Sequence, residues 1–268
     1  MNTSATTRIG LRTIALGYLL VLIGLPIGVI LYRTFEPGLA TFYASISTPA
    51  AISALNLSLL IVGIVVPINV VFGVFTAIAL VRWRFPGRGV LQAVVDLPFA
   101  VSPVVVGVAL IMLWGAGGWF GAIEGTGFRV IFGLPGMVIA TIFVTLPFVV
   151  REVEPVLHEI GEDQEQAAST LGASRWQTFW RITLPAIRWG LTYGVVLTVA
   201  RALGEFGAVI MVSSGFPGVS QTLTLLVHAR YIDDHNTYGA YAAATLLMGI
   251  ALLVLLLMTV LDRKRSDR

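Results

Sequence analysis

Long apolar blocks separated by short polar stretches run through almost the whole chain, and the blocks predict its elements. A helix needs about 20 mainly apolar residues to cross the hydrocarbon core of a membrane. Stretches 13–32, 57–81, 91–114, 130–150, 187–212 and 240–261 reach that length. The first is flanked by Arg8, Arg12 and Arg33; its length, and the lack of a small-x-small cleavage pattern after it, argue for a span over a cleaved leader. The prediction is an all-α polytopic membrane protein with six transmembrane helices. A polar, small-residue loop joins the first two spans and has room for a helix lying along the surface.

The segment 159–185 is the one long polar interruption, and it has its own local code. Residues 162–171 are good helix formers with acids in the first turn, which suits the helix dipole. Gly172 follows at the place where a helix end favours left-handed backbone. Ser174 with Gln177 three residues on predicts a capping box that opens a second short helix. In that helix Trp176, Phe179, Trp180 and Thr183 fall on one face, which is expected to pack on the bundle. Pro185 is expected to redirect the chain before the fifth span.

Composition agrees with this class: 57% of the 268 residues are hydrophobic, 12% are charged, and mean hydropathy is +0.90. No cysteine is present, so disulfide, thiol and Cys-metal chemistry are excluded. His158, His228 and His235 lack metal-ligand spacing. The net charge of +3 sits at span ends and does not point to nucleic acid. Arg8, Arg12, Arg82, Arg84, Arg88, Arg151, Arg175, Arg181, Arg188, Arg263, Lys264, Arg265 and Arg268 fall on one side of the predicted spans, while only Arg33, Arg129 and Arg230 fall on the other. Positive charge marks the cytoplasmic side, so both termini and the 159–185 loop are placed there. Lys264 is the only lysine, which rules out a phosphate-binding loop of the G-x-x-x-x-G-K type. Transport driven by ATP would need the ATPase on another polypeptide.

A few polar groups lie inside the predicted spans. Arg201 and Glu205, four residues apart in R-A-L-G-E-F-G-A, share a helix face in the middle of the fifth span and can pair. Two readings are open: a buried pair that fixes packing, or an Arg201 that gates an anion path with Glu205 holding it. Asp96 starts D-L-P-F-A-V-S-P and is read as a cytoplasmic-interface residue ahead of a pathway role. Pro98 and Pro103 predict a kink or partial unwinding of the third span. Ser213 and Ser214 form a small polar turn near the outer face and are candidate pathway residues. The run Q-T-L-T-L-L-V from Gln221 is read as a short piece returning toward the bilayer, with packing its simplest role.

The order A-A, three residues, Gly, nine residues, I-x-L-P resembles the EAA loop of ABC importer permeases. Ala167, Ala168, Gly172, Ile182, Leu184 and Pro185 occupy its marked positions. Where that family usually has Glu before the alanines, this chain has Gln166, with Glu165 one residue earlier. From about Asn56 onward the chain resembles the sulfate/thiosulfate branch of these permeases, the CysW type, through Asn69, Phe72-Gly73, F-P-G-R at 85–88, D-L-P-F-A-V-S-P-V-V at 96–105, R-A-L-G-E-F-G-A at 201–208 and Q-T-L-T-L from 221. The 201–208 stretch is also similar to molybdate/tungstate permeases, which stay open as the alternative, as does an ATP-independent anion transporter or channel. The resemblance implies a type I importer permease (MetI-like) fold in a bacterial cytoplasmic (inner) membrane. It implies 1–56 as N-terminal tail, first helix and outer loop, 57–261 as the core, and 262–268 as a basic cytoplasmic tail. It places Glu165, Gln166, Ala167, Ala168 and Gly172 at the contact with the ATPase, while Arg201, Glu205, Ser213 and Ser214 stay the candidates for the path or gate from the residues themselves. The partners it implies are a second homologous permease, an ABC ATPase dimer, an extracytoplasmic sulfate-binding protein and membrane lipid. No cofactor is expected in this chain, because ATP and Mg would sit on the ATPase.

Overall fold

The computed structural model describes residues 5–126 and 129–266, with side chains at 10–123 and 129–256. The side chains of Arg8, Arg263, Lys264, Arg265 and Arg268, used above for orientation, lie outside the described set. Among the described residues all regular structure is helical.

Helix α1 (Ala5–Leu19) runs through a π-helical turn, Leu20–Gly24, into α2 (Leu25–Phe35). The apolar body of this span stands clear of the rest of the chain. Its outer end is tied down: Thr34 and Thr245 share a hydrogen bond of 2.8 Å, and the Tyr238 hydroxyl donates to Thr34 O at 3.2 Å. The surface helix expected in the outer loop is α3 (Leu39–Ile46). Helix α4 (Pro49–Arg82) then begins with Thr48 accepting from the Ala51 N–H at 3.3 Å and with proline in its first turn, where no donor is needed. At 1.5 Å per residue its 34 residues reach about 50 Å, well past the hydrocarbon core.

The predicted third span is two helices, α5 (Arg88–Ala100) and α6 (Pro103–Trp114), bent by 113°. A kink was expected; a turn this sharp was not. Ser102 precedes a proline and takes extended backbone, as steric contact with the proline ring demands, so the two axes are free to diverge. Helix α7 (Leu134–Ile160) continues about three turns beyond the expected end of the fourth span. After α8 (Asp163–Thr170), helix α9 (Arg175–Thr178) flows through a π turn, Phe179–Thr183, into α10 (Leu184–Leu203). Pro185 therefore does not redirect the chain. It sits in the first turn of α10, and the wider π register just before it absorbs the hydrogen bond that proline cannot donate.

The fifth span also ends sooner than expected. Helix stops at Leu203 and resumes as the short α11 (Gly207–Val212), so Arg201 and Glu205 flank a break instead of a mid-span face. The chain then folds back through α12 (Leu223–His228) and a π turn, Ala229–Asp233, into α13 (Thr237–Ser266). The segment after Gln221 is packed, as its simplest reading held: Leu223 and Leu226 are buried with Ala51, Ala54 and Ala243. Arg230 staples this outer corner by donating to Gly239 O at 2.9 Å, Ser45 O at 3.1 Å and the Thr48 hydroxyl at 2.9 Å. Burial lowers its pKa from the ordinary arginine value, and Asp234 opposes that shift.

Helix α7 is the centre, packed by α4, α10, α5, α11 and α6. Close approach is made by missing side chains. A Cβ on Gly73 would lie 2.7 Å from Val149 Cβ, and one on Gly194 would lie 2.9 Å from Val149 Cα. At the α6–α11 crossing, a Cβ on Gly107 would meet Met211 Cβ at 2.6 Å and Ala208 O at 2.8 Å.

Gly107→Ala should therefore force α11 off α6 and cost about 1–3 kcal/mol, lowering the thermal unfolding midpoint of the detergent-solubilised protein by several degrees. Gly63→Ala, where nothing lies within 4 Å, should leave the midpoint unchanged or raise it. Equal behaviour of the two variants would refute this account of the α6–α11 contact.

Candidate functional site

From α8 to the Ser174 capping box, the 159–185 segment folds as its local code predicts. Ser174 Oγ accepts from the Gln177 N–H at 3.3 Å, and the Gln177 side chain accepts from the Ser174 N–H at 2.9 Å, completing the capping box. Gly172 has φ +84°, a left-handed conformation that favours glycine. Its N–H bonds Ser169 O at 3.0 Å, and the Ala173 N–H bonds Ala168 O at 3.0 Å, closing α8.

Apolar contact contributes little to holding α8. Gln166 and Ala167 are exposed, Ala168 is half-buried, and Leu171 is 89% exposed. Glu165 alone of the five singled-out residues turns its polar end inward. Its carboxylate accepts from Thr183 Oγ1 at 2.8 Å and from Arg82 Nη2 at 3.4 Å, and Arg82 Nε lies 3.2 Å from its other oxygen in an ion contact out of hydrogen-bond alignment. Glu165 is thus turned to the bundle, whereas Gln166 faces outward. Arg82 was counted only for orientation in the sequence. It also donates to Leu157 O at 3.1 Å and Gly161 O at 2.6 Å, capping the C-terminal end of α7 with positive charge. No signal along the sequence points to this, since its partners are 75–83 residues away.

The aromatic face departs from expectation. Phe179 packs on the core around Leu157 and Ile187, but Trp176 and Trp180 are 66% and 50% exposed. The three rings contact one another at centroid separations of 5.4–6.1 Å, Trp176 stacked on Phe179 and both meeting Trp180 edge-on. Trp176 and Phe179, with Phe75, Ile78, Arg82, Trp83 and Glu165, border a groove of about 410 Å³. Asp96 accepts from Arg151 at 2.6 and 3.0 Å in an exposed pair, which fits the interface reading.

Arg201 and Glu205 do meet. Arg201 Nη1 is 2.6 Å from Glu205 Oε2, with the Glu205 side chain 1% and the Arg201 side chain 32% exposed. Glu205 Oε1 accepts from the Ala208 N–H at 2.8 Å, and its carbonyl accepts from Thr224 Oγ1 at 2.8 Å. The carboxylate therefore bridges the break between α10 and α11, and the Glu205 backbone carbonyl pins α12 to it. Ser213 and Ser214 lie elsewhere. Ser213 Oγ donates to Ser220 O at 2.6 Å and accepts from the Gly215 N–H at 2.9 Å, so its hydroxyl is spent on the turn. Ser214 lines a pocket of about 220 Å³ with Ser213, Gln221, His228 and Asp233. Gln221 is buried there, with an amide oxygen lacking a partner. The structure thus makes three separate groups: the 159–185 loop, the ion pair at the break, and the outer serine turn.

Residues 69–267 match the family model described as binding-protein-dependent transport system inner membrane component. The chain is 48% identical to the sulfate transport system permease protein CysW of Synechococcus elongatus, over 94% of this chain and 88% of that protein. It is 35% identical to the permease protein CysT of Synechocystis, over 92% and 86% of the two. In fold it is similar, at a TM-score of 0.79 and 18% identity over 97% of this chain and 95% of the other, to a chain of a bacterial alginate ABC transporter solved in complex with an alginate pentasaccharide-bound periplasmic protein.

Removing Arg201 leaves a buried carboxylate unpaired, whereas Glu205→Gln leaves a neutral amide that still accepts from Ala208. Arg201→Gln should therefore lower the unfolding midpoint more than Glu205→Gln, and the double variant should recover part of the loss. A double variant less stable than Arg201→Gln alone would contradict this. Thermal unfolding of the purified chain in detergent reads all three.

Proposed function

Since the chain belongs to the binding-protein-dependent transport system inner membrane components, a family of multi-pass permeases, we propose that it is the sulfate-conducting permease subunit of an ATP-driven importer. The observation that carries the substrate is the 48% identity to a CysW protein along nearly the whole chain, against 35% to a CysT protein. That contrast also supports a second, different permease of the same fold as partner. An ATPase dimer below and an extracytoplasmic binding protein above complete the assembly.

The chain's own groups support a division of labour. Gln166, Ala167, Ala168 and the exposed Leu171 form the face offered to the ATPase, and Gly172 sets the turn that presents it. Closure of the ATPase around nucleotide would move α8, and the spans would open outward. Arg201, partly exposed at the α10 break, is the cation placed to meet a passing oxyanion; Glu205 holds it in position. Weak contacts suit a path, since a tight site would trap the ion.

Labelled sulfate uptake in cells lacking this gene, and after its restoration, tests the reading. Loss and rescue, with thiosulfate competing better than molybdate, is the expected result. Unchanged sulfate uptake would overturn the substrate, and uptake without ATP would overturn the importer. Within the same assay, Ala168→Asp and Gly172→Asp should abolish uptake while the chain still reaches the membrane fraction. An acid on the docking face repels or desolvates the contact, and at position 172 it also strains a left-handed backbone, by about 1 kcal/mol. Normal uptake in both variants would remove the coupling role from this loop.

A further inference from the structure

We infer that Arg82, at the cytoplasmic end of α4, is a positioning residue for coupling: a polar strut that makes α8, α4, α7 and the α9–α10 span move together. The inference rests on the importer reading above and deepens it. Helix α8 is two turns long and largely exposed, so apolar packing cannot transmit a push through it. The polar contacts that join it to the bundle converge on one carboxylate. Glu165 meets Arg82 through both oxygens and Thr183 through one. Arg82 side-chain exposure is 9%, and that of Glu165 is 22%, so the pair is sheltered from most solvent screening.

Each member of the group belongs to a different element. Arg82 is the last residue of α4, and it grips the end of α7 through Leu157 O and Gly161 O. Thr183, itself buried, closes the π turn where α9 passes into α10. A π turn carries a wider, poorer hydrogen-bond register than the helix around it, so it is a natural place for a helix to yield. A guanidinium with donors on two carbonyls and a carboxylate is held in direction as well as distance, which a single apolar contact is not. Displacement of α8 would therefore pull on the π turn and on the ends of α4 and α7 at once. Without Arg82 the loop could dock and move while the spans lag behind.

The experiment uses the complete complex in lipid vesicles, with loaded binding protein added, and reads sulfate taken up per ATP hydrolysed. A merely structural role lowers uptake and hydrolysis together and leaves that ratio alone. For Arg82→Gln and for Glu165→Gln the ratio should fall between about 5- and 150-fold, the range of ordinary coupling free energies. The double variant should fall no further than the worse single, because both break one interaction. Thr183→Val, which removes only a hydroxyl, should lower the ratio less and in the same direction, and it keeps the idea testable if Arg82→Gln does not assemble. Arg84→Gln, an exposed neighbour, should keep the wild-type ratio. A wild-type ratio in Glu165→Gln and Thr183→Val, or losses that multiply in the double variant, would overturn the strut. ATP-independent uptake by the wild-type complex would instead overturn the importer reading beneath it.

Discussion

Hydrocarbon offers helices no hydrophobic gain for coming together, so a bundle in a membrane is held by close van der Waals contact and by polar groups that find one another. That constraint governs this molecule. Helix α7 is approached by α4 at Gly73 and by α10 at Gly190 and Gly194, where an added Cβ would lie under 3 Å from backbone or side-chain atoms. Inside that contact Asn69 donates to Thr145 at 2.6 Å, and Thr145 donates to Thr141 O at 2.6 Å. Close backbones and short internal hydrogen bonds make α4, α7 and α10 one rigid unit. The cytoplasmic loop, the α10 break and the outer corner are attached to it.

The attachments are polar and sit where helices end. Arg82 and Glu165 tie the cytoplasmic loop, Glu205 bridges the α10 break, and Arg230 staples the outer corner. In each case a charged side chain satisfies carbonyls or N–H groups that a helix terminus would leave bare. The same charges that make the broken spans tolerable in a membrane therefore set where the fold can bend. The apolar body of the first span is not buried by the rest of the described residues, and its outer end is tied by the Thr34–Thr245 hydrogen bond.

The break beside Arg201 has a geometric consequence. A partly exposed guanidinium held by a buried carboxylate is pre-set in direction and has little conformational freedom left to lose. Ser213 and Ser214, by contrast, mainly build a turn around Ser220, and Gln221 is the buried polar group whose carbonyl remains unpaired beside it.

Features that depend on near neighbours were legible in residue order alone. Five long apolar spanning helices, the cytoplasmic placement of the loop, the Ser174–Gln177 box and the left-handed Gly172 all follow from composition windows, charge at block ends and spacings of a few residues. The Arg201–Glu205 pair was legible for the same reason, being one helical turn apart. Packing in three dimensions set that Glu165 turns inward to Arg82, that Trp176 and Trp180 stay exposed, and that the predicted third span is a pair of helices, α5 and α6, parted by 113°. Side-chain direction and bend angle depend on partners many tens of residues away. A local pattern such as Pro98 and Pro103, or an aromatic face, permits several such outcomes, and packing selects among them.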